Sequence, residues 1–193
     1  MNNLVHPFPC PIYQNFIDKE SFLQIKEDTY RFINDNSNLF QQPWFCTTKS
    51  TISTPIEKNI NNEILKEKIK FHVEEYCKFW DWENPPLVKL ESCWVNIAKK
   101  GDYQEEHSHS DSLISGVIYI NVNEYSGEFQ FINSLSAESI LLKNPKNFNY
   151  GYPVTPLPSL ILLFPGWMNH RVLPNNSDID RISISFNISV KSN

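Results

Sequence analysis

The stretch LVKLESCWVNIA, residues 87–98, changes side-chain character with a period of two residues. An extended strand places alternate side chains on opposite faces. One face then carries Val88, Leu90, Ser92, Trp94 and Asn96, and the other carries Lys89, Glu91, Cys93, Val95 and Ile97. The pattern predicts a β-strand with two distinct faces.

Further strand-like runs follow this stretch toward the C-terminus. They are SLISGVIYINV (112–122), SGEFQFIN (126–133), SLILLFPG (159–166) and DRISISFNISV (180–190). Short strands separated by turn signals indicate a sandwich or a barrel. We therefore expect one domain over residues 1–193, mainly β, in which a helical region (1–86) supports a β core (87–193).

Two helices are expected in the N-terminal region. Asp18 is placed to cap a helix that runs to about Asn34. The sequence from Thr54 to Glu57 has the features of a second helix start, and an apolar stripe follows it and should stop before Glu83. The region from Leu135 to Pro158, rich in Asn, Pro, Tyr and Gly, is predicted to be a long loop.

Composition excludes several classes of function. The net charge is −5 and no window is rich in Lys and Arg, which argues against nucleic acid as the main partner. No segment has the ~20 apolar residues that a membrane span needs. The cysteines are scattered without a Cys-x-x-Cys pair, so reduced thiols are expected. We expect a cytoplasmic protein; its oligomeric state is left open, a homodimer included.

His107 and His109 lie one residue apart just before a predicted strand. In an extended strand, side chains at these positions point to the same side, ~6–7 Å apart, and can reach one metal ion. The alternative is a pair of solvated strand residues. His170, in a predicted turn after another strand, could supply a third ligand.

Arg181 is predicted to lie on the inward face of the last strand together with Ser183 and Ser185. A guanidinium in such a place is costly unless an anion meets it. The anion is either a carboxylate of this chain, in a buried ion pair, or a carboxylate of a ligand, with a serine hydroxyl as second donor.

These blocks, in this order, resemble the 2-oxoglutarate- and Fe(II)-dependent oxygenases of the prolyl-hydroxylase-like kind. The similarity covers about Trp94 to Asn187 and is closest to short oxygenases of bacteria and tailed phages. It implies a double-stranded β-helix, a jelly-roll or cupin-like barrel. For a phage protein, the compartment would be the host cytoplasm.

The resemblance also implies roles for individual residues. His107, His109 and His170 would bind the metal, and Arg181 with Ser183 would bind the far carboxylate of 2-oxoglutarate. Tyr119 would hydrogen-bond the same cosubstrate, although a core tyrosine with a satisfied hydroxyl is the other interpretation. Asn96, on the strand before the ligand pair, is a weaker candidate for a cosubstrate contact.

One departure from the family pattern concerns the metal ligands. The family has a carboxylate where this chain has His109. Asp111 is some ~13 Å from His107 along an extended strand, too far for one ion. Glu105 has the right parity and ranks second. Imidazole suits Fe(II), so a three-histidine iron site is chemically reasonable.

The activity that the resemblance implies is hydroxylation with Fe(II), 2-oxoglutarate and O2, releasing succinate and CO2. The substrate is a small molecule or a protein side chain that the sequence does not identify. Aromatic residues that could line its path are Trp44, Phe45, Tyr150, Tyr152 and Trp167. Two alternatives remain: a three-histidine cupin-type metalloprotein, such as a thiol dioxygenase or a zinc-binding barrel, and a non-enzymatic virion-associated or binding module.

Overall fold

The computed structural model describes residues 10–43, 46–60, 62–79, 87–132 and 151–190. The helices within these ranges are α1 (Lys19–Asp35), α2 (Glu63–Lys78) and the short 3-10 helices Ser37–Leu39 and Ile56–Lys58. The strands are β1 (Tyr13–Phe16), β2 (Lys49–Ser50), β3 (Val88–Ala98), β4 (Gln104–His107), β5 (Ile114–Asn121), β6 (Phe129–Ile132), β7 (Gly151–Val154), β8 (Leu160–Pro165), β9 (His170–Val172) and β10 (Arg181–Val190). None of the helices described is long and apolar enough to cross a lipid bilayer.

Helix α1 begins where the sequence predicts, and α2 begins later. The Asp18 carboxylate caps α1 by accepting from the Ser21 N–H. The predicted second start at Thr54 is wrong, because the chain there makes only the 3-10 turn and then becomes extended at Asn59. The Asn59 amide donates to backbone carbonyls of Thr51 and Thr54, which fixes that turn. Asn62 caps α2 instead, and the helix ends at Lys78.

The strands form two antiparallel sheets. The larger sheet has six strands in the order β1-β8-β5-β10-β3-β2, and the smaller has four in the order β4-β9-β6-β7. One face of the large sheet packs against the helices in an apolar cluster that includes Ile25, Leu65, Val73, Ile118 and Ile184. A second apolar cluster joins the two sheets and includes Val117, Phe129, Phe131, Leu162 and Phe164. The expected double-stranded β-helix with N-terminal helices is confirmed.

Strand β3 does not alternate regularly along its whole length. Opposite β10 its register shifts, so that Leu90 pairs with Ile188 while Ser92 pairs with Asn187, and Glu91 is the additional residue. This bulge moves Val88 and Leu90 to the helix-facing cluster, where Cys93 and Val95 also lie. The predicted faces are therefore correct from Ser92 onward and wrong before it.

Five short strands, β1, β2, β4, β7 and β9, lie outside the predicted runs. His170 is the first residue of β9, so its predicted place in a turn is wrong. β1 pairs with β8, and β2 pairs with β3. β7, from Gly151 to Val154, pairs with β6, so the predicted loop is wrong over these residues. It is an edge strand of four residues that contains Pro153, and such a strand gives little signal in a sequence. The part of the predicted loop from 135 to 150 lies outside the described residues.

Candidate metal and cosubstrate site

Strand pairing brings the three histidines together. His107 ends β4 and pairs directly with His170, the first residue of β9. His109 lies in the loop between β4 and β5, and its backbone N–H donates to the Gly166 carbonyl at 2.8 Å. The loop is therefore attached to the turn before β9, which places the third imidazole beside the other two.

The three rings form one cluster. Their centroids are 4.3 Å apart for His107 and His170, 5.2 Å for His107 and His109, and 5.3 Å for His109 and His170. One ring nitrogen of each lies within 4.8 Å of the others. This arrangement offers three nitrogen ligands to a single metal ion.

Backbone carbonyls fix the orientation of two of these rings. Nδ1 of His107 lies 2.7 Å from the Glu105 carbonyl oxygen, and Nδ1 of His170 lies 2.8 Å from that of Met168. A carbonyl oxygen only accepts, so Nδ1 carries the proton in both rings. Nε2 of each then keeps a lone pair for a metal.

The surroundings favour the neutral imidazoles that bind metal ions. Burial lowers the pKa of His107 and His170, and burial together with the neighbouring His107 lowers the pKa of His109 to about 4. His170 is packed between aromatic rings, with Phe129 stacked at 5.0 Å and Phe164 edge-on at 4.8 Å. These rings shield one side of the histidine cluster from water.

No carboxylate joins the histidines in the part of the chain that the structure describes. Glu105 and Asp111 are both exposed, and the metal-ligating group that the structure brings together is His107, His109 and His170. Glu105 contributes its backbone carbonyl to His107 rather than its side chain. The donor set is thus three neutral nitrogens.

Arg181 lies buried in the same barrel. Its Nη1 donates to the carbonyl oxygens of Ser126 at 2.8 Å and Leu173 at 3.1 Å. Over the described ranges, no carboxylate oxygen lies within 4.0 Å of the guanidinium, so the ion-pair alternative finds no partner there. Gly127, with φ +80°, allows the backbone to lie close to the Arg181 guanidinium. A Cβ at this position would be only 2.9 Å from Nη1. Burial lowers the pKa of Arg181 to about 10, and the group stays charged at neutral pH.

Polar side chains of three neighbouring strands lie beside Arg181. Ser183 on β10 pairs with Asn96 on β3 and with Tyr119 on β5. Within the described ranges, the buried Tyr119 hydroxyl and Asn96 Oδ1 have no hydrogen-bond partner, while the Asn96 Nδ2 donates to Ser185. Burial also raises the pKa of Tyr119. Buried polar atoms are nearly always paired, so this wall is suited to a polar ligand.

One cavity connects the histidines with this wall. It encloses about 660 Å³, part of it open to solvent, and it reaches from His107, His109 and His170 to Arg181. Besides Tyr119, its aromatic lining includes Trp94, Phe129, Phe164 and Phe186, which the sequence analysis did not single out as site residues. Trp94 could have been found, because it shares a strand face with Asn96.

Two of the five aromatic residues predicted to line the substrate path are described by the structure. Trp167 and Tyr152 are largely exposed and do not line this cavity. Trp44, Phe45 and Tyr150 lie outside the described residues.

A jelly-roll barrel with a histidine cluster and a buried arginine in one cavity is the arrangement of a non-haem metal enzyme that binds a carboxylate ligand. Residues 92–187, about half of the chain, match the family described as "Putative 2OG-Fe(II) oxygenase". The chain belongs to the 2-oxoglutarate- and Fe(II)-dependent oxygenases. Its cofactors are Fe(II) and 2-oxoglutarate, and O2 is the usual oxidant of the family.

Solved structures share the fold at low sequence identity. A prolyl-4-hydroxylase of Pseudomonas putida is 12% identical, with a TM-score of 0.63 over 95% of this chain and 94% of that one. A Trichoplax adhaerens prolyl hydroxylase, in complex with a hypoxia-inducible-factor peptide, is 13% identical, with a TM-score of 0.65 over 93% and 83%. HygX of Streptomyces hygroscopicus, with nickel and 2-oxoglutarate bound, is 11% identical, with a TM-score of 0.63 over 94% and 83%. No protein of curated function matches the chain.

Proposed function

We propose that the protein is a hydroxylase in which His107, His109 and His170 hold Fe(II) and Arg181 holds 2-oxoglutarate. The observation that carries this proposal is the buried guanidinium without a carboxylate partner in the described residues, in the same cavity as three neutral imidazoles. The three histidines provide ligands for the metal ion, and the guanidinium provides a positive charge for the anionic cosubstrate.

At the carboxylate end, Arg181 forms the main contact. Its Nη1 donates to two backbone carbonyls, and these bonds hold the guanidinium in place. The other guanidinium nitrogens remain available to the ligand. Ser183 and the Tyr119 hydroxyl add donors. The Ser185 hydroxyl can donate as well as accept, so the Asn96 amide can turn and present Nδ2 to the anion.

The charges of the site also agree with this assignment. Three neutral histidines leave the two positive charges of the metal uncompensated, and the dianionic cosubstrate offsets them. Because His109 stands where the family has a carboxylate ligand, we expect weaker iron retention when 2-oxoglutarate is absent. Iron and cosubstrate should therefore bind cooperatively.

When bound, the iron and its cosubstrate supply oxidative decarboxylation of 2-oxoglutarate to succinate and CO2, coupled to hydroxylation of a substrate C–H bond. The residues of this chain orient the reactants and keep water out. Phe129 and Phe164 cover His170, and Trp94 lies 5.9 Å from the His109 ring. Arg181 fixes the cosubstrate so that its other end reaches the histidines.

The substrate is proposed to be a small molecule or a protein side chain. One structural relative is described in complex with a peptide, which supports a protein substrate as one of the two. The thiols of Cys46, Cys77 and Cys93 form no disulfide with the described residues, which agrees with a reducing compartment, and we propose the cytoplasm of a bacterium or of a phage-infected host.

Titration of the Fe(II)-loaded protein with 2-oxoglutarate under anaerobic conditions tests this function. We expect one iron and one cosubstrate per chain, and succinate after O2 is admitted. A three-histidine cupin-type metalloprotein would bind the metal without 2-oxoglutarate, and a non-enzymatic module would give no succinate with any substrate pool. Either result would refute the hydroxylase.

A further inference from the structure

The inner face of β10 continues past the histidine cluster, away from Arg181. Arg181, Ser183 and Ser185 line the cavity, and the next residue on that face is Asn187. Trp94, whose ring lies 5.9 Å from that of His109, pairs with Ser185. The cluster is therefore level with Ser185, ~13 Å along the strand from Arg181, and Asn187 lies ~7 Å farther on.

Asn187 is flanked by two serines in direct register. Ser92 on β3 and Ser115 on β5 both pair with it. The Ser115 hydroxyl donates to the Asn187 Oδ1 at 2.8 Å, and Ser115 is almost fully buried and lines the cavity. This bond fixes the amide so that Nδ2 is the free donor; among the described residues, no acceptor bonds to it.

In the proposed function the cosubstrate would extend from the histidines toward Arg181, in the opposite direction, and would not reach this donor. The three residues carry no formal charge. Farther along the same two strands, Lys89 and Glu91 are joined at 2.8 Å, and Glu91 also accepts from Ser189. A charged group at Asn187 would lose hydration without gaining a counter-ion, whereas a neutral acceptor would gain a hydrogen bond.

We propose that Ser92, Asn187 and Ser115 form the substrate subsite, in which the Asn187 Nδ2 donates to an uncharged carbonyl oxygen of the substrate. This carbonyl oxygen belongs to a peptide bond or to another carboxamide, and it lies close to the substrate carbon that reacts. This inference rests on the proposed function, because it takes the histidine cluster as the reaction centre.

The test uses the ¹⁵N-labelled full chain, loaded with Zn(II) and N-oxalylglycine, which give a complex without turnover. The side-chain amide signals of Asn187 are assigned by their absence in Asn187→Asp. Four probes are titrated: N-acetylalanine N-methylamide for a peptide bond, propionamide for a simple carboxamide, and propionate and propylammonium as charged counterparts. Asn187→Ala is a second variant, and Asn176→Asp, in an exposed loop, makes the same chemical change away from the cavity.

We expect the neutral probes to shift the Asn187 side-chain amide signals saturably. The backbone amide signals of Ser92 and Ser115, which remain in every variant, should report about tenfold weaker binding in both Asn187 variants and unchanged binding in Asn176→Asp. Tighter binding of the peptide-bond probe would assign a peptide substrate, and equal binding would assign a small carboxamide. Neutral probes that leave the signals unmoved, or that bind the Asn187 variants as well as the parent, would overturn the subsite. A parent that binds neither Zn(II) nor N-oxalylglycine would overturn the proposed function as well.

Discussion

Substitution of Gly166 by alanine should weaken metal binding through its effect on the loop that carries His109. A Cβ at Gly166 would lie 2.2 Å from the Ser112 carbonyl oxygen and 2.6 Å from that of His109. Both atoms are backbone atoms, so the loop must move by about 1 Å to reach ordinary contact, whereas ligand geometry tolerates only ~0.5 Å. We expect about 10–100-fold weaker Fe(II) binding, as for other residues that orient metal ligands, and a loss of ~1–3 kcal/mol in unfolding free energy.

The assay is anaerobic Fe(II) titration together with thermal unfolding. Gly101→Ala is the matched control: Gly101 has φ +89° and a Cβ there would meet no atom within 4 Å. It should lose ~1–2 kcal/mol through backbone strain and keep its iron affinity. If Gly166→Ala bound Fe(II) as tightly as the parent, the contact would not position His109, or His109 would not be a ligand.

Further substitutions test the assignment of single residues. His107→Ala and His170→Ala should each abolish stoichiometric Fe(II) binding while unfolding stays cooperative, and unchanged iron content in either would remove that residue from the ligand set. His109→Asp should bind Fe(II) at least as tightly as the parent, because the carboxylate adds charge attraction; iron loss as complete as in His109→Ala would instead favour Glu105 or another geometry. Tyr119→Phe should leave the stability of the metal-free protein unchanged or slightly higher, because it removes a buried hydroxyl that has no partner among the residues the structure describes. The same variant should bind 2-oxoglutarate about tenfold more weakly by calorimetry, and parent-like affinity would show that the hydroxyl does not contact the cosubstrate.

Local patterns in the sequence predicted the main features of this fold. The alternation of Arg181, Ser183 and Ser185 with apolar residues predicted the cavity face of β10, and Asp18 predicted the start of α1. Both depend on neighbours within a few residues. The spacing of His107 and His109 permitted a chelate, but only the pairing of β4 with β9 brings His170 to them.

The features that the sequence did not predict depend on distant parts of the chain. The bulge at Glu91 is defined by the register of β10, which is about a hundred residues away in the chain. The second helix begins at Glu63, with Asn62 as its cap, rather than near Thr54, because Asn59 bonds to the preceding turn. The carbonyls that orient His107 and His170 belong to the backbone, which has the same groups at every residue, so no sequence pattern identifies them.

The most direct test of the central claim separates iron binding from cosubstrate binding at Arg181. The Fe(II)-loaded parent should form the visible metal-to-ligand charge-transfer band with 2-oxoglutarate. Arg181→Ala should bind Fe(II) as tightly as the cosubstrate-free parent does and bind the cosubstrate about a hundredfold or more weakly, because removal of one partner of a buried charge pair costs ~3–5 kcal/mol. Arg181→Lys should regain the band only at high cosubstrate concentration, because lysine lacks the planar fork.

Arg171→Ala is the matched control, because Arg171 bonds to Gln130 and does not line the cavity. It should behave as the parent in both iron content and band. An Arg181→Ala protein that binds 2-oxoglutarate as the parent does would place the cosubstrate elsewhere, and a parent that forms no band would contradict the hydroxylase assignment itself.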